Sequence, residues 1–505
     1  NVQRDITFNG RPALFRFGGK YTERQRAVDV TRFRVAAPTI VPTLADFPNV
    51  ASGDGDFDFL FNPDLEVLEA FARNLLANGT RLSSAENPAD AVISQARDYT
   101  GTEEVTAAYA MVKLELRDDL EFFGGLRIED TRWNTSGFIS NRVNYDEGTG
   151  GASLIIRNSL LAAGVTPAQI LASSLGPRYA LINSVLTPIN ETAVASPQTG
   201  SNAYTDVFAN ANLRWEPRED IVVRLSYTEG IQRPDFDQAT ANGEFQISET
   251  TDVAQLSGLT SIAQVENVVR FFGRAGTTAE PLRDPTLDPL RSRNYDLSVS
   301  YYPDDDLFFQ VALFRKDIRD FIVRIVSNRA QDFGFDPARF NVVETLINGD
   351  DAYVQGVELT YSQNYTFLPG LLGGLFATAN VTLADSEQND GVSGRTVSFQ
   401  EQADIVGNVS IGWENDDVSL RWSGNYVDDR FRQLNGGFIG LSFPAGDVYE
   451  QARFSMDVNA RWQINDRYQV YFDATNINDA EDRRYFQGGG QTGAIGERIE
   501  NHGAT

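Results

Sequence analysis

Cysteine is absent from this chain of 505 residues, and His502 is its single histidine. Without thiols the chain can form neither disulfide bonds nor thiolate metal sites, and one imidazole cannot complete a multi-histidine zinc site. A cysteine nucleophile is excluded, and a histidine so near the C-terminus is poorly placed for a catalytic triad. The composition therefore predicts neither an enzyme nor a metal site, and no cofactor is expected.

Long hydrophobic runs are missing too, since no stretch of about 18 apolar residues is available for a membrane helix. Positive charge is scarce: 43 Lys and Arg stand against 70 Asp and Glu, which gives a net charge of -27. A nucleic-acid partner needs a clustered basic surface, so none is expected. The acidic excess is more typical of solvated loops.

What the chain does contain is a recurring alternation of apolar and polar residues. In the clearest segment, from Phe454 to Ile464, every second residue is apolar and the others are Ser, Asp, Asn, Arg and Gln. Successive side chains of a strand point to opposite faces, so each such segment has one apolar and one polar face. The pattern returns at 207–215, 221–227, 295–301, 357–361, 405–413 and 418–426. No linker-like stretch interrupts it, so residues 1–505 are interpreted as one all-β domain of about thirteen strands starting at Leu14.

Short and long connections alternate along the chain. Short, turn-forming stretches occur at 117–119, 216–220, 303–306, 368–370, 414–417 and 464–466. Long loops are expected at roughly 37–102, 139–202, 234–290, 327–350, 388–398 and 432–447. In an antiparallel meander every second connection lies at the same end, and this segregation by length is typical of transmembrane β-barrels with long extracellular loops. The strands of a soluble propeller or sandwich would also alternate apolar and polar residues. Such a fold has no reason to place its short connections at one end and its long ones at the other.

Two local features refine this picture. Residues 166–169 (TPAQ) fit a capping box, which predicts a short helix inside a long loop. Aromatic residues gather near the strand ends, and two membrane girdles about 20 Å apart are predicted. The turn-end girdle comprises Trp215, Tyr301, Phe309, Trp413, Trp462 and Tyr468, and the loop-end girdle comprises Tyr227, Tyr295, Tyr361, Tyr426 and Phe454. The alternative is that they are strand-favouring aromatics of a soluble core.

Alternation also selects candidate ligand-binding residues on the polar face. Arg127, Glu129 and Trp133 share that face on the strand from Leu120. Arg224 and Gln232 do the same on the strand after Asp220. Such residues could bind a solute, or they could be wall residues bonded to one another or to a plug inside the barrel. Trp133 could stack on a sugar ring or anchor a loop.

Four ordered motifs in the second half of the chain resemble those of one family. Residues 283–297 (RDPTLDPLRSRNYDL) resemble the "NPxLxPExSxNYDLGxEYY" stretch of TonB-dependent outer-membrane receptors. Residues 231–236 (IQRPDF) are similar to their "ARPxF" strand end, 355–359 (QGVEL) to their "xGxEL" strand start, and 472–479 (FDATNIND) to their "NLxD" turn. Residues 18–21 (GGKY), followed by Arg24, are similar to a strand of the subgroup found in sugar-scavenging bacteria.

This resemblance implies a barrel of 22 strands, closed by an N-terminal plug and energised through TonB in the outer membrane of a Gram-negative cell. The plug, the first strands and the last strand are not found here, so we expect the chain to be an incomplete barrel domain, monomeric and surrounded by outer-membrane lipid. The subgroup implies import of an oligosaccharide. A ferric-siderophore or haem receptor is the alternative, and a passive porin is the alternative of another class.

Overall fold

A computed structural model describes residues 2–30, 92–145 except 93, 151–182, 184–189, 191–277, 281–389, 396–433, 446–488 and 494–500, with a few helical positions between 67 and 74. The strands are β1 (Val2–Phe8), β2 (Arg11–Val28), β3 (Tyr99–Arg117), β4 (Leu120–Asn144), β5 (Tyr179–Ile182), β6 (Val185–Pro188), β7 (Glu191–Arg218), β8 (Ile221–Gln232), β9 (Gly243–Glu249), β10 (Phe271–Ala275), β11 (Leu290–Tyr301), β12 (Leu307–Arg319) and β13 (Ile322–Ser327). They continue with β14 (Val342–Asn348), β15 (Ala352–Asn364), β16 (Leu375–Asn389), β17 (Thr396–Val397), β18 (Ile405–Glu414), β19 (Val418–Val427), β20 (Arg430–Gln433), β21 (Gly446–Glu450), β22 (Arg453–Asn465), β23 (Tyr468–Ala474), β24 (Asp482–Gly488) and β25 (Ala494–Glu500). The α-helices whose bounds the structure describes are α1 (Ala152–Ala162), α2 (Pro167–Leu171) and α3 (Ile262–Val268).

Fourteen of these strands form one antiparallel meander, which we call the wall. Its order is β1-β2-β3-β4-β7-β8-β11-β12-β15-β16-β18-β19-β22-β23. The thirteen strands from β2 onward are the number predicted from alternation, and β1 precedes them. Among the described strands none pairs β1 with β23, so the described wall has two edges.

The connections within the wall are sorted by length, as predicted. Seven short turns lie at one end, and the long loops lie at the other. At the first turn, Asn9 and Gly10 have φ values of 49° and 78°, the consecutive positive pair that a tight hairpin needs. The strands β4 and β7 extend further than expected, because they stay paired as far as Asn144 and Glu191, inside the segment predicted to be a loop.

The two faces of the wall differ in what covers them. On one face, which we call the apolar face, large side chains are exposed: Leu126 by 60%, Val207 by 58%, Leu225 by 52%, Ile411 by 50% and Trp462 by 54%. The opposite face, which we call the inner face, carries polar side chains. Since the buried hydrophobic clusters of the described residues lie elsewhere, the apolar stripes are not the core of a sandwich or propeller.

The long loops fold into a structure of their own, which we call the loop cap. Strand β9 runs parallel to the end of β4, and the sheet continues through β10, β14 and β13. Ile156, Leu160 and Ile170 of the loop after β4 pack with Leu256 and Val265 of the loop after β8. Two long loops therefore share one hydrophobic core.

Helices are confined to these loops. The predicted capping box begins α2, because Thr166 accepts a hydrogen bond from the Gln169 amide and Gln169 accepts one from the Thr166 amide. The longest of the three, α1, has only 11 residues. Of the described helices, none has the length and apolar character needed to cross a membrane.

Candidate solute-binding site

Two buried carboxylates lie on the inner face, where β3 and β4 meet the long loops. Glu103 is 5% and Glu129 is 7% exposed. Arg127 donates to Glu129 at 2.6 Å, and Arg233 bonds to the same carboxylate from the other side. Arg233 also lies 3.5 Å from Glu103 and donates to Thr131 Oγ1 at 3.2 Å. The pair Arg127 and Glu129, predicted to face inward, thus belongs to an ion-pair network.

Arg233 is the residue of this network that sequence reasoning did not select. It follows the end of β8 and lies 102 residues from Thr131 and 104 from Glu129 in the chain. Its position inside the IQRPDF motif was the available signal, because a proline cannot donate to the strand ladder and therefore marks Arg233 as lying at the end of the strand. Arg233 is the cation that bonds to both carboxylates, since Arg127 reaches only Glu129 and Arg24 only Glu103.

Trp133 lies above the network and is 6% exposed. Its indole N–H donates to the Ala239 carbonyl at 2.7 Å, and its ring centroid lies 4.7 Å from that of Phe236. Both partners belong to the segment after β8. Of the two roles left open for Trp133, its contacts match the loop anchor.

Arg224 and Gln232 do not join this group. Arg224 lies toward the turn end of β8, where its guanidinium is 3.4 Å from Ser300 Oγ. Gln232 is exposed and pairs in register with Leu290 at the loop end. Of the five predicted ligand-binding residues, Arg127 and Glu129 are therefore bonded to each other and Trp133 lies close to them. Arg224 and Gln232 lie apart from this group.

The sequence motif at 283–297 packs beside Trp133. Asn202 of β7 donates from its amide to the carbonyls of Thr286 and Leu287 at 3.1 and 3.0 Å. Gly200 allows the approach, since a Cβ there would lie 2.2 Å from Cγ of Pro285. The segment 283–297 is thereby held against the inner face of β7.

Beyond β4 the inner face is dominated by neutral amides and hydroxyls, a region that we call the amide-hydroxyl sector. Its members include Asn210, Asn212, Ser226, Thr228, Asn294, Ser298, Ser300, Gln310, Thr360, Ser362, Thr378, Asn380, Thr382, Asn408, Ser410, Ser423, Asn425, Ser455 and Asn459. Neighbouring strands are linked by these groups, for example Asn408 to Asn380 at 2.8 Å and Ser410 to Ser423 at 2.8 Å. Such groups offer both donors and acceptors to a polar solute.

The predicted girdle residues all fall on the apolar face by strand alternation. At the loop end, the rings of Tyr227 and Tyr295 lie 5.2 Å apart. At the turn end, Tyr301 pairs with Phe309. Tyr361 pairs with Phe309 as well, so its predicted place at the loop end is wrong. The error arose because the turn was predicted at 368–370, whereas β15 already ends at Asn364, three residues after Tyr361.

A wall with one exposed apolar face, one polar face and loops sorted by length defines a transmembrane antiparallel β-barrel domain. The model of the family described as "TonB dependent receptor-like, beta-barrel" matches residues 2–477. The chain belongs to this family. No curated protein matches the sequence.

Solved structures resemble the chain at low identity. The ferric-catecholate import receptor Fiu from E. coli K12 is 12% identical, with a TM-score of 0.49 over 95% of this chain and 50% of that one. The ferripyoverdine receptor of Pseudomonas aeruginosa is 14% identical, with a TM-score of 0.47 over 95% and 44%. The FrpB iron transporter from Neisseria meningitidis is 14% identical, with a TM-score of 0.45 over 98% and 53%. The chain spans about half the length of these proteins.

Within the described part of the chain, no group of three or more His, Asp or Glu side chains is arranged to hold a metal ion.

Proposed function

We propose that this chain forms part of the β-barrel wall of an outer-membrane receptor, which binds a scarce extracellular solute and imports it into the periplasm. Membership of the family supports this role. Energy would come from TonB acting through a plug domain, and the barrel would work as a monomer in the outer membrane of a Gram-negative cell. The eleven aromatic residues of the two girdles would meet the lipid headgroups, as in other membrane barrels.

The solute that the inner face suits best is an oligosaccharide. The amide-hydroxyl sector carries this choice, because sugar hydroxyls both donate and accept hydrogen bonds and Asn, Ser and Thr side chains can match them. Arg127, Glu129, Trp133, Arg224 and Gln232 remain candidates for solute contact. In this proposal Arg127, Glu129 and Trp133 act mainly by stabilising the loop end of the barrel, because their polar groups bond within the wall and to the segment after β8.

A ferric siderophore is the second candidate, since two of the similar structures are a ferric-catecholate import receptor and a ferripyoverdine receptor. Direct binding separates the two. The complete receptor, purified in detergent, is titrated with a panel of neutral and acidic oligosaccharides and a panel of ferric siderophores. Saccharide binding, together with uptake that stops when TonB is deleted, supports the proposal. Siderophore binding without any saccharide binding overturns the proposed solute, and uptake that persists without TonB favours a passive porin.

A further inference from the structure

The inner face of β2 carries a row of cations beside the site described above. Arg16, Lys20, Arg24 and Arg26 occupy even-numbered positions of this strand. The even positions share one face, and the exposed apolar residues Phe17 and Tyr21 lie on the other. Register confirms the side, since Arg24 pairs with Glu103. We call the four residues the basic stripe.

The basic stripe runs along most of the wall. Arg26 near the loop end follows Arg16 by ten positions, which corresponds to about 33 Å along the strand at about 3.3 Å per residue and to about 25 Å along the barrel axis at a strand tilt of about 40°. The hydrocarbon core of a bilayer is about 30 Å thick. A charged group moving along the inside of β2 would therefore meet cations through most of its path.

The stripe is only weakly neutralised by its neighbours. Lys20 and Arg26 form no ion pair with any described residue. Arg24 lies 3.6 Å from Glu103, a carboxylate that it shares with Arg233. Arg16 donates to the neutral Gln3 at 2.6 Å. In a chain with a net charge of -27, this strand face is a local positive exception.

A recess beside the stripe offers a place for an anionic group. Its volume is about 70 Å³, more than the about 30 Å³ that a water molecule takes in the liquid. Four cations border it, Lys20, Arg24, Arg127 and Arg233, against two carboxylates, Glu103 and Glu129. Glu129 is bonded to Arg127 and Arg233, and Glu103 lies between Arg233 and Arg24 at 3.5 and 3.6 Å. Lys20, which has no ion pair with a described residue, and the exposed guanidinium of Arg24 are therefore the cations best placed to receive an oxyanion.

We propose that the basic stripe is the binding track for carboxylate groups of the solute, so that the imported oligosaccharide is an acidic one. This inference rests on the proposed function and specifies its substrate class. Rows of Lys and Arg select anions in pores, and a positive path is needed where the surrounding protein would otherwise repel an anion. The amide-hydroxyl sector faces the same interior and would bind the sugar hydroxyls.

The test compares matched probes on the complete receptor. A panel of uronic-acid trisaccharides is titrated beside the methyl ester of each, which keeps the sugar and masks its charge. The variant Lys20→Gln/Arg24→Gln removes two cations from the stripe. The control Arg421→Gln/Arg461→Gln removes two inner-face cations of β19 and β22, far along the wall from β2.

We expect at least one acid to bind roughly tenfold tighter than its ester, the effect of about one charged hydrogen bond. The stripe variant should lose that preference and its salt dependence, and the control should keep both. Equal binding of acids and esters, binding of neither, or a preference that survives in the stripe variant would overturn the inference. A stripe variant with a lowered Tm and an unchanged preference would also overturn it, because the cations would then serve stability alone. Binding of the esters or of neutral sugars would leave oligosaccharide import standing, so the two proposals fail separately.

Discussion

Arg178 donates a hydrogen bond to Glu249, and the two side chains are 2% and 0% exposed although 71 residues separate them. Arg178 belongs to the loop after β4, and Glu249 ends β9 in the loop after β8. Thr251 donates to the second oxygen of the carboxylate at 2.7 Å. This buried pair adds a polar link to the hydrophobic core that the two loops share, so we expect the loop cap to open as one unit.

Replacing Arg178 with Met should destabilise the loop cap by about 3–5 kcal/mol, because the change leaves the Glu249 carboxylate buried without its partner. Hydrogen exchange of α1 and β9 in the complete receptor would report the loss as faster exchange in both segments together. The double variant Arg178→Met/Glu249→Leu serves as the control and should recover much of the protection. Faster exchange confined to one of the two segments would contradict a shared unit.

The loop cap also depends on the absence of a side chain at Gly137 of β4. A Cβ at this position would lie 1.8 Å from Oδ1 of Asn242, whose amide donates to the carbonyls of Ala96 and Asp98 at 3.0 Å each. Gly137→Ala should therefore displace Asn242 at a cost of about 1–3 kcal/mol. Thermal unfolding measures this.

Gly407→Ala provides the comparison, since the nearest atom to its added Cβ would be 3.8 Å away. We expect it to leave the Tm nearly unchanged. If both alanine variants unfolded at the same temperature as the wild type, close packing at Gly137 would be refuted.

Low pH should destabilise the four-stranded sheet formed by β20, β21, β24 and β25. Burial alone would raise the pKa of Glu450, but hydrogen bonds and charge from Arg430 and Arg432 outweigh it and lower that pKa. A carboxyl with a lowered pKa in the folded state stabilises above its ordinary pKa of about 4.3 and loses that contribution as pH falls through the folded value. The protection factors of the β21 amides, which correct for the pH dependence of intrinsic exchange, should thus be constant from pH 7 to about 5 and fall below about pH 4.

Glu450→Gln separates this effect from general acid unfolding. The variant should have lower protection factors in β21 at neutral pH and show little further change in them on acidification. An equal loss of protection in both proteins below about pH 4 would assign the response to other groups.

The wall could be predicted from the sequence because it depends on local patterns. Alternation fixes which side of a strand a residue faces, and the length of each connection fixes the end at which it lies. Leu225 and Arg224 illustrate this, since they were assigned to opposite faces from their neighbours alone. The capping box at Thr166 is local in the same sense.

The contacts at the loop end of the barrel could not be predicted, because they join residues that are far apart in the chain. Arg233 reaches Glu129 across 104 residues, and no periodicity joins two such positions. The pairing of β4 with β9 likewise depends on a loop folding back over the wall. Tyr361 was misplaced for a simpler reason, since the turn after β15 begins after Asn364, earlier than the turn predicted at 368–370.

The account as a whole requires the apolar face of the wall to contact lipid and the inner face to contact water. The chain has no cysteine, so single cysteines can be introduced one at a time along β22 and spin-labelled in the complete receptor in lipid vesicles. Labels at Phe454, Met456, Val458, Ala460 and Trp462 should be relaxed strongly by oxygen, which concentrates in the bilayer. Labels at Ser455, Asp457, Asn459 and Arg461 should be shielded from oxygen. Oxygen accessibility without this two-residue period, or with the opposite phase, would contradict the account.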